Sequence, residues 1–452
     1  MEKKGKIEKM PVVNPFAAGI DVGGKIHYVA VGQSRENVRQ FGVFTGDLHE
    51  CAKWLISEGI TTVAMESTGD YWRALFIILQ DYGLEVILVN GKYTKNVKGK
   101  KTDVLDCQWI QKLHSLGLLE SSFLPDSFTE SVRQVSRHRK NLVENAADYI
   151  NKMQKALRQM NLRLDNVLRD VTGESGQAII KAILKGEHDP KKLADLANYK
   201  VHASKDEIAK ALTGDWRKEY ILELKHSFEL FHIFRDKISE CDNEIEKLLK
   251  KEIEFKYQSG NKKKQYKPTN RKKVNKNDPK IELEKFCYQL SGGIDLIQVP
   301  AIGRNTLLSL ISEVGFDLSK FPTSKQFASW LGLAPNNKVS GGKVISSHTP
   351  KRKNRLSEAL QRAANVIGNM KDNPLSEFFR RVSFKKGRMS AITATARKLA
   401  VIIWNMLTKK ENYKPIENDK YKEKIRTQRI KNIKKQLTSL NISQDELVYL
   451  TA

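Results

Sequence analysis

The chain has little cysteine, with four residues in 452: Cys51, Cys107, Cys241 and Cys287. They lie far apart and form no CxxC pair, a spacing that disfavours both a zinc site and a disulfide framework. We therefore expect reduced, structural thiols in a cytosolic protein.

Long hydrophobic runs are also missing. The most apolar stretches, residues 74–79 and 400–404, are far too short to span a bilayer. The first fourteen residues, MEKKGKIEKMPVVN, lack the apolar core of a signal peptide. We expect a soluble, intracellular protein with no membrane partner.

Acidic residues are scarce relative to basic ones, with 52 Asp and Glu against 79 Lys and Arg, a formal net charge of +27. This excess suits a polyanion, because each neutralised phosphate releases condensed counterions. An anionic membrane surface would attract the same charge. With 40% hydrophobic residues and this length, the chain can form two or three domains with real cores.

Residues 17–90 alternate strand-like and helix-like segments. Strands are predicted in AAGIDV, KIHYVAVG, ENVRQFGVFT, TTVAMES and EVILVN, and helices in LHECAKWLISEG and DYWRALFIILQDYG. This order predicts an α/β layer in which a mixed sheet carries helices.

The rest of the chain is predicted to be mainly helical. Apolar residues recur at three- and four-residue steps in 127–255, which predicts a helical hairpin or coiled-coil arm. The alternative is an ordinary helical spacer or dimerisation arm. Residues 256–282 read as a mobile basic linker. Residues 283–410 predict a helical C-terminal domain, and 411–452 a charged peripheral tail. The turn in VPAIGRN resembles a helix-hairpin-helix, or simply joins two core helices.

Four carboxylates stand on suitable elements for a metal site. Asp21 lies in the strand IDV, Glu66 ends the strand VAMES, and Asp103 and Asp106 are three residues apart on one helix face. Such acids can converge on hard cations such as Mg²⁺, and two metals can clamp both oxygens of a scissile phosphodiester. Strand-borne and helix-borne acids in this order are typical of ribonuclease-H-like nucleases.

Each acid also has a structural explanation. Asp21 could cap the Gly-Gly turn, and Glu66 could pair with a lysine or cap the next helix. Asp103 could be a helix N-cap, and Asp106 could simply be solvated. Only the occurrence of all four acids together, on suitable strands and one helix, favours a metal site.

Six stretches together resemble a known family. GIDVGGK, ESTGDYWRALFIILQDYGLEVILVN and KTDVLDC resemble the DEDD, RuvC-like N-terminal domain of the IS110 family of insertion-sequence transposases. IQVPAIGRNTLLSLISEVG, FASWLGLAPNNKVSGGK and RKLAVIIWNML resemble that family's C-terminal transposase domain. The likeness covers residues 17–125 and 293–408, in the family's order.

The resemblance implies a fold, a chemistry and partners. Residues 15–126 would be a RuvC-like domain in which Asp21, Glu66, Asp103 and Asp106 bind Mg²⁺ or Mn²⁺. Ser340, in VSGGK, would attack a DNA phosphate and form a phosphoserine link. The two centres would meet as a composite site within a homo-oligomer, a dimer or tetramer. A structured bridge RNA would pair with double-stranded donor and target DNA. The protein would act in the cytoplasm of a prokaryotic-type cell, associated with its nucleoid.

The residues around Ser340 are chemically reasonable for this role. A serine beside Gly-Gly is predicted on an exposed, flexible turn where a phosphate can approach the backbone. Lys343, His348, Lys351 and Arg352 could stabilise developing charge. Without the resemblance, the motif would be a surface turn. The proton acceptor stays open between a metal-bound oxygen and a carboxylate.

Two positions depart from the family pattern. Cys107 replaces the usual alanine after the last aspartate, and Lys353 replaces a turn glycine. Two other functions remain open: a junction-resolvase-like nuclease that uses water and only the carboxylates, and a non-catalytic nucleic-acid-binding protein in which the acids are structural.

Overall fold

The computed structural model describes residues 11–91, 102–258, 265–267, 274–350, 354–371, 373–415 and 418–439. The chain divides into two compact units, residues 1–124 and 125–452. Each unit is described by itself.

The first unit is a mixed sheet with helices, which confirms the predicted α/β layer. Its strands are β1 (Ala17–Val22), β2 (His27–Ala30), β3 (Val38–Phe41), β4 (Thr62–Glu66) and β5 (Glu85–Val89). Its helices are α1 (Thr45–Ser57), α2 (Trp72–Asp81) and α3 (Asp103–Ser115). All the strands and helices predicted within 17–90 are present.

The strand order is β3-β2-β1-β4-β5. β1, β2 and β3 pair antiparallel, whereas β1, β4 and β5 run parallel. A short turn connects β1 to β2, and a loop with a 3-10 turn, Arg35–Asn37, connects β2 to β3. The helices α1 and α2 provide the crossovers that parallel neighbours require. This topology is compatible with an RNase-H-like domain.

The two faces of the sheet carry different helices, because strand side chains alternate. Ile20 and Met65 point into one face, where they pack with Leu55 of α1 and Leu79 of α2. The opposite face receives α3. Cys51 and Cys107 are free and buried, as are the two cysteines of the second unit, which confirms the prediction of reduced structural thiols.

The second unit begins with a pair of long helices, α4 (Ser127–Gln159) and α9 (Lys218–Tyr257), which pack against each other. The buried Arg139 donates from Nε to Asp242 of α9 over 2.6 Å, so the charges of both side chains are compensated inside the pair. Four short helices connect them: α5 (Leu164–Val167), α6 (Glu174–Leu184), α7 (Pro190–Asp195) and α8 (Lys205–Ala211).

The described end of the predicted basic linker is packed rather than mobile. α9 continues to Tyr257, and Asp278 is buried, accepting hydrogen bonds from Asn275 and Asn305. Ile281 is also buried. The mobile-linker prediction is therefore wrong for 274–282, because a few buried side chains anchor a segment whose average composition is polar.

The C-terminal part is mainly helical, as predicted. Its helices are α10 (Leu283–Leu290), α11 (Arg304–Glu313), α12 (Ser324–Trp330), α13 (Arg355–Gly368), α14 (Pro374–Lys386) and α15 (Arg388–Lys409). The helix-hairpin-helix prediction is wrong in its first half, since only a 3-10 turn, Leu296–Gln298, precedes the bend before α11. Ala301 takes a left-handed φ of 60° in that bend.

Two features of this part were not predicted. A β-hairpin, β6 (Lys338–Ser340) and β7 (Lys343–Ser346), projects from the helices. The start of the charged tail is attached, because Asn412 accepts a hydrogen bond from the backbone N–H of Asp295 over 2.8 Å. Beyond it lies α16 (Asn418–Ser439). No helix in the described part of the chain is long and apolar enough to cross a membrane.

Candidate active site

Asp21 and Glu66 lie at the same edge of the first unit's sheet. β1 and β4 are parallel, and Ile20 stands beside Met65, so the next residue of each strand extends to the carboxyl edge. Ile20 and Met65 point toward α1 and α2. By alternation, Asp21 and Glu66 both point to the opposite face, the one that α3 covers. Both side chains are half-buried.

Hydrogen bonds fix the direction of α3 across this face. Gln111 donates from Nε2 to the carbonyl of Ala17 over 3.1 Å, and Asn14 donates from Nδ2 to the carbonyl of His114 over 2.8 Å. Thr62, at the start of β4, has its hydroxyl 2.9 Å from Nε2 of His114. The last turn of α3 therefore lies over the amino ends of the strands, and its first turn lies toward their carboxyl edge.

That first turn carries the two helix-borne acids. Thr102 caps α3 by accepting from the backbone N–H of Leu105, so the alternative that Asp103 is the N-cap is wrong. Asp103 is the exposed first residue of the helix, and Asp106 is half-buried one turn later. Carboxylates at this position are stabilised by the positive end of the helix dipole.

The buried thiol of Cys107 is affected by the charges of two of the acids, Asp21 and Asp106. Burial and, after it, the negative charge of Asp21 together raise the pKa of its thiol to about 12, with a smaller contribution from Asp106. The charges of Asp21 on the sheet and of Asp106 on α3 therefore both act on the same buried thiol. A thiol with so high a pKa stays protonated and unreactive.

The position of the Glu66 carboxylate requires a glycine at residue 91, which the sequence did not mark as part of the site. A Cβ on Gly91, just after β5, would overlap the Glu66 carboxylate. Thr68 donates from its hydroxyl to Oε1 of Glu66 over 3.5 Å, a long bond. α2 begins only at Trp72, so the alternative that Glu66 caps the next helix is wrong. The available signal for Gly91 was a glycine two residues after the end of a strand.

The structure brings the four acids to one edge and one face, but not into a ligand shell. Among the described residues, no three His, Cys, Asp or Glu side chains are grouped closely enough to hold a metal ion. Asp21, Glu66 and Asp106 are each engaged in other polar or electrostatic interactions. Oxygen donors of the type that hard cations prefer are present, and side-chain rotation would have to complete a site.

Ser340 ends the first strand of the hairpin in the second unit. Ser340 and Lys343 face each other across a two-residue turn in which Gly341 and Gly342 have φ of 53° and 74°. Positive φ at both central positions is the type I′ arrangement, which matches the twist of the flanking strands. The turn is exposed as predicted, and it is a defined hairpin.

The predicted cations around Ser340 have different placements. Lys343 is exposed at the turn. His348 is exposed beyond β7, and its carbonyl accepts from the backbone N–H of Asn336 over 3.0 Å, which closes the base of the hairpin. Lys351, Arg352 and Lys353 lie outside the described residues.

Two family models match the chain, and together they span about half of it. Residues 18–162 match a DEDD domain of the IS110 type described as a transposase. Residues 295–380 match a model described as a transposase of the IS116/IS110/IS902 family. The first match contains all four predicted metal-site acids, and the second contains Ser340.

Two curated relatives are similar over part of their length. The transposase for insertion sequence element IS1111A of Coxiella burnetii is 31% identical over 120 residues, which are 26% of this chain and 33% of that protein. The insertion element IS110 uncharacterized 43.6 kDa protein of Streptomyces coelicolor is 31% identical over 113 residues, 25% of this chain and 28% of that protein. The matched region thus spans a third or less of each relative.

Proposed function

Because the chain belongs to the IS110 family of insertion-sequence transposases, we propose that it cuts and rejoins DNA strands to move an insertion sequence. The observation that carries the proposal is the common placement of Asp21, Glu66 and the first turn of α3 on one face of one sheet edge. A buried core does not require acids to gather at one edge, since each charge placed there must be compensated.

In this proposal Asp21, Glu66, Asp103 and Asp106 bind a divalent cation, Mg²⁺ or Mn²⁺. A cation held there would supply positive charge to a DNA phosphate. The chain's own contribution is to orient the acids. The sheet fixes Asp21 and Glu66, while α3 fixes Asp103 and Asp106 through its attachments at the other end.

Ser340 is the proposed nucleophile. Its Oγ attacks the phosphorus of a DNA phosphodiester, the new Oγ–P bond forms, and the bond from phosphorus to one deoxyribose oxygen breaks. The serine proton leaves to a base, and the departing sugar oxygen gains a proton to become a hydroxyl. One phosphodiester is exchanged for another, so a sugar hydroxyl can reverse the step and join new strands. Lys343 is paired with Ser340 across the turn, so its ammonium group can stabilise the negative charge that develops on the phosphate oxygens.

The proposed partners are double-stranded donor and target DNA and a structured bridge RNA. The net charge of +27 supports polyanionic partners in general, and the RNA rests on the family resemblance. The two centres lie on different units of the chain, so we further propose that they act together as a composite site in a homo-oligomer.

Variants at each centre test this function. We expect Ser340→Ala to abolish both strand cleavage and strand transfer in purified protein given bridge RNA and DNA, while Ser346→Ala on β7 keeps both. If Ser340→Ala cleaves normally while Asp21→Asn does not, the chain is a nuclease that hydrolyses DNA with water. If neither variant alters any DNA processing, the acids are structural.

A further inference from the structure

The second unit contains a groove that the proposed chemistry does not use. It has a volume of about 1340 Å³ and lies between α14, α15 and residues 347–349, which follow the hairpin. Residues 411–414, beyond α15, complete its lining. The groove therefore shares a wall with the segment that leads away from Ser340.

The groove is strongly basic. Seven of its lining residues are Lys or Arg, and its one acidic residue, Glu411, is paired with Lys414 over 3.4 Å. Arg381, Lys385 and Lys398 form no ion pair with a carboxylate in the described part of the chain. Uncompensated cations that line one concave surface favour an anionic ligand.

Two of these cations are held on one aromatic ring. Nζ of Lys398 lies 4.1 Å from the ring centroid of Phe378, and the guanidinium of Arg381 lies 5.6 Å from it. Partial burial lowers the pKa of Lys398, and the positive charge of Arg381 lowers it further. The ring thus keeps two mutually repelling charges together, and an anion between them would relieve that repulsion.

The floor of the groove is apolar. Val382 of α14 and Val401 and Ile402 of α15 contribute to it. Met389, which also lines the groove, is 74% exposed. Duplex DNA hides its base faces within the stack, so it would leave these apolar surfaces uncovered. An unpaired strand offers both phosphates for the cations and base faces for the aromatic and aliphatic groups.

We propose that the groove between α14 and α15 binds an unpaired nucleic-acid strand, with phosphates at Arg381 and Lys398 and bases against the apolar floor. This inference rests on the proposed function in that both require nucleic acid. It adds a distinct single-strand site that neither the acids nor Ser340 provide. RNA and single-stranded DNA share the recognising chemistry.

The test compares matched charge removals in the full chain. R381Q/K398Q neutralises the cations over Phe378, whereas the control K325Q/R362Q removes one Lys and one Arg from exposed positions on α12 and α13 outside the groove. Fluorescence anisotropy would measure binding of a 12-nucleotide oligo-U RNA, a 12-nucleotide oligo-dT DNA and a 12-base-pair duplex over a series of salt concentrations. Phe378→Leu, which keeps an apolar side chain, tests the ring itself.

We expect R381Q/K398Q to weaken single-strand binding at least tenfold. It should also reduce the slope of log affinity against log salt by about 1.4, since each phosphate contact on a single strand contributes about 0.7. K325Q/R362Q should alter neither. Phe378→Leu should weaken single-strand binding more than duplex binding. A loss confined to RNA, confined to DNA or common to both supports the groove and identifies the strand.

Three results would overturn the inference: equal losses in the groove and control variants, an effect on duplex alone, or wild-type single-strand binding by R381Q/K398Q. Ser340→Ala distinguishes failure of the groove assignment from failure of the proposed function, because this variant should bind single strands like the wild type. If Ser340→Ala loses strand transfer while R381Q/K398Q binds normally, the groove assignment fails and the proposed function stands.

Discussion

Gly19 of β1 and Gln111 of α3 approach so closely that no side chain fits between them. A Cβ on Gly19 would overlap the backbone nitrogen of Gln111 and also the carbonyl oxygen of Cys107. Gly19 lies on the same face as Asp21, two residues before it. The contact therefore determines how near the acids of α3 come to those of the sheet.

Gly19→Ala should displace α3, because backbone cannot move aside as a flexible side chain can. We expect the first unit to lose about 1–3 kcal/mol of stability, the usual cost of overpacking. Hydrogen exchange of peptides from 103–115 should become faster. Gly46→Ala is the matched control, since nothing lies within 4 Å of the Cβ it adds to α1. Equal exchange in both variants would show that the close approach is unimportant.

The hairpin at Ser340 should tolerate only residues that accept positive φ. Gly341→Asn should retain strand transfer, because Asn-Gly is a favoured type I′ pair. Gly342→Val forces a β-branched residue into a left-handed conformation at a cost of about 1–2 kcal/mol. The rate of strand transfer should then fall about five- to thirtyfold. Comparable rates for the two variants would mean that the turn does not position Ser340.

Divalent-cation binding should depend on the carboxyl edge of the sheet. We expect Asp21→Asn to weaken Mg²⁺ or Mn²⁺ binding at least about tenfold in isothermal titration, because loss of even an indirect metal contact has an effect of that size. Asp81→Asn, at the end of α2 near the amino edge, changes an exposed carboxylate of the same unit and should bind normally. Identical cation affinities in the two variants would show that Asp21 does not bind a metal ion.

DNA and RNA affinity should fall steeply as salt rises. A net charge of +27 predicts that phosphate contacts dominate binding, so log affinity should decrease linearly with log salt. Filter binding between about 50 and 200 mM salt should show losses of about 10³ or more for six or more contacts. A flat response would indicate that the basic residues do not contact the nucleic acid.

Much of the first unit could be predicted, because strand alternation and helix periodicity are local signals. TVAME and EVILV are short apolar segments rich in β-branched residues, and this local composition predicts strands. The packing of α3 against the sheet could not be predicted, since it depends on Gly19, whose role appears only when the helix lies against it. The sequence also placed Asp103 and Asp106 on one helix face without indicating which end of the sheet that face would meet.

In the second unit, the features that matter for the site were harder to predict from the sequence. The hairpin was foreseen only as an exposed turn, although KVSGGKVIS carries the Gly-Gly signal of a type I′ hairpin between alternating residues. Its strands are only three and four residues long and almost fully exposed, so no buried pattern marks them. The anchoring of 274–282 through Asp278 was equally hidden, because one buried polar residue does not alter a composition average.

The most direct test of the account is to look for a covalent bond between Ser340 and DNA. Purified protein would be incubated with Mg²⁺, bridge RNA and labelled DNA, quenched, digested and analysed by mass spectrometry. The account predicts a nucleotide linked through phosphate to Ser340 in the wild type, absent from both Ser340→Ala and Asp21→Asn and present in Ser346→Ala. Efficient strand cleavage with no adduct at Ser340 would contradict it.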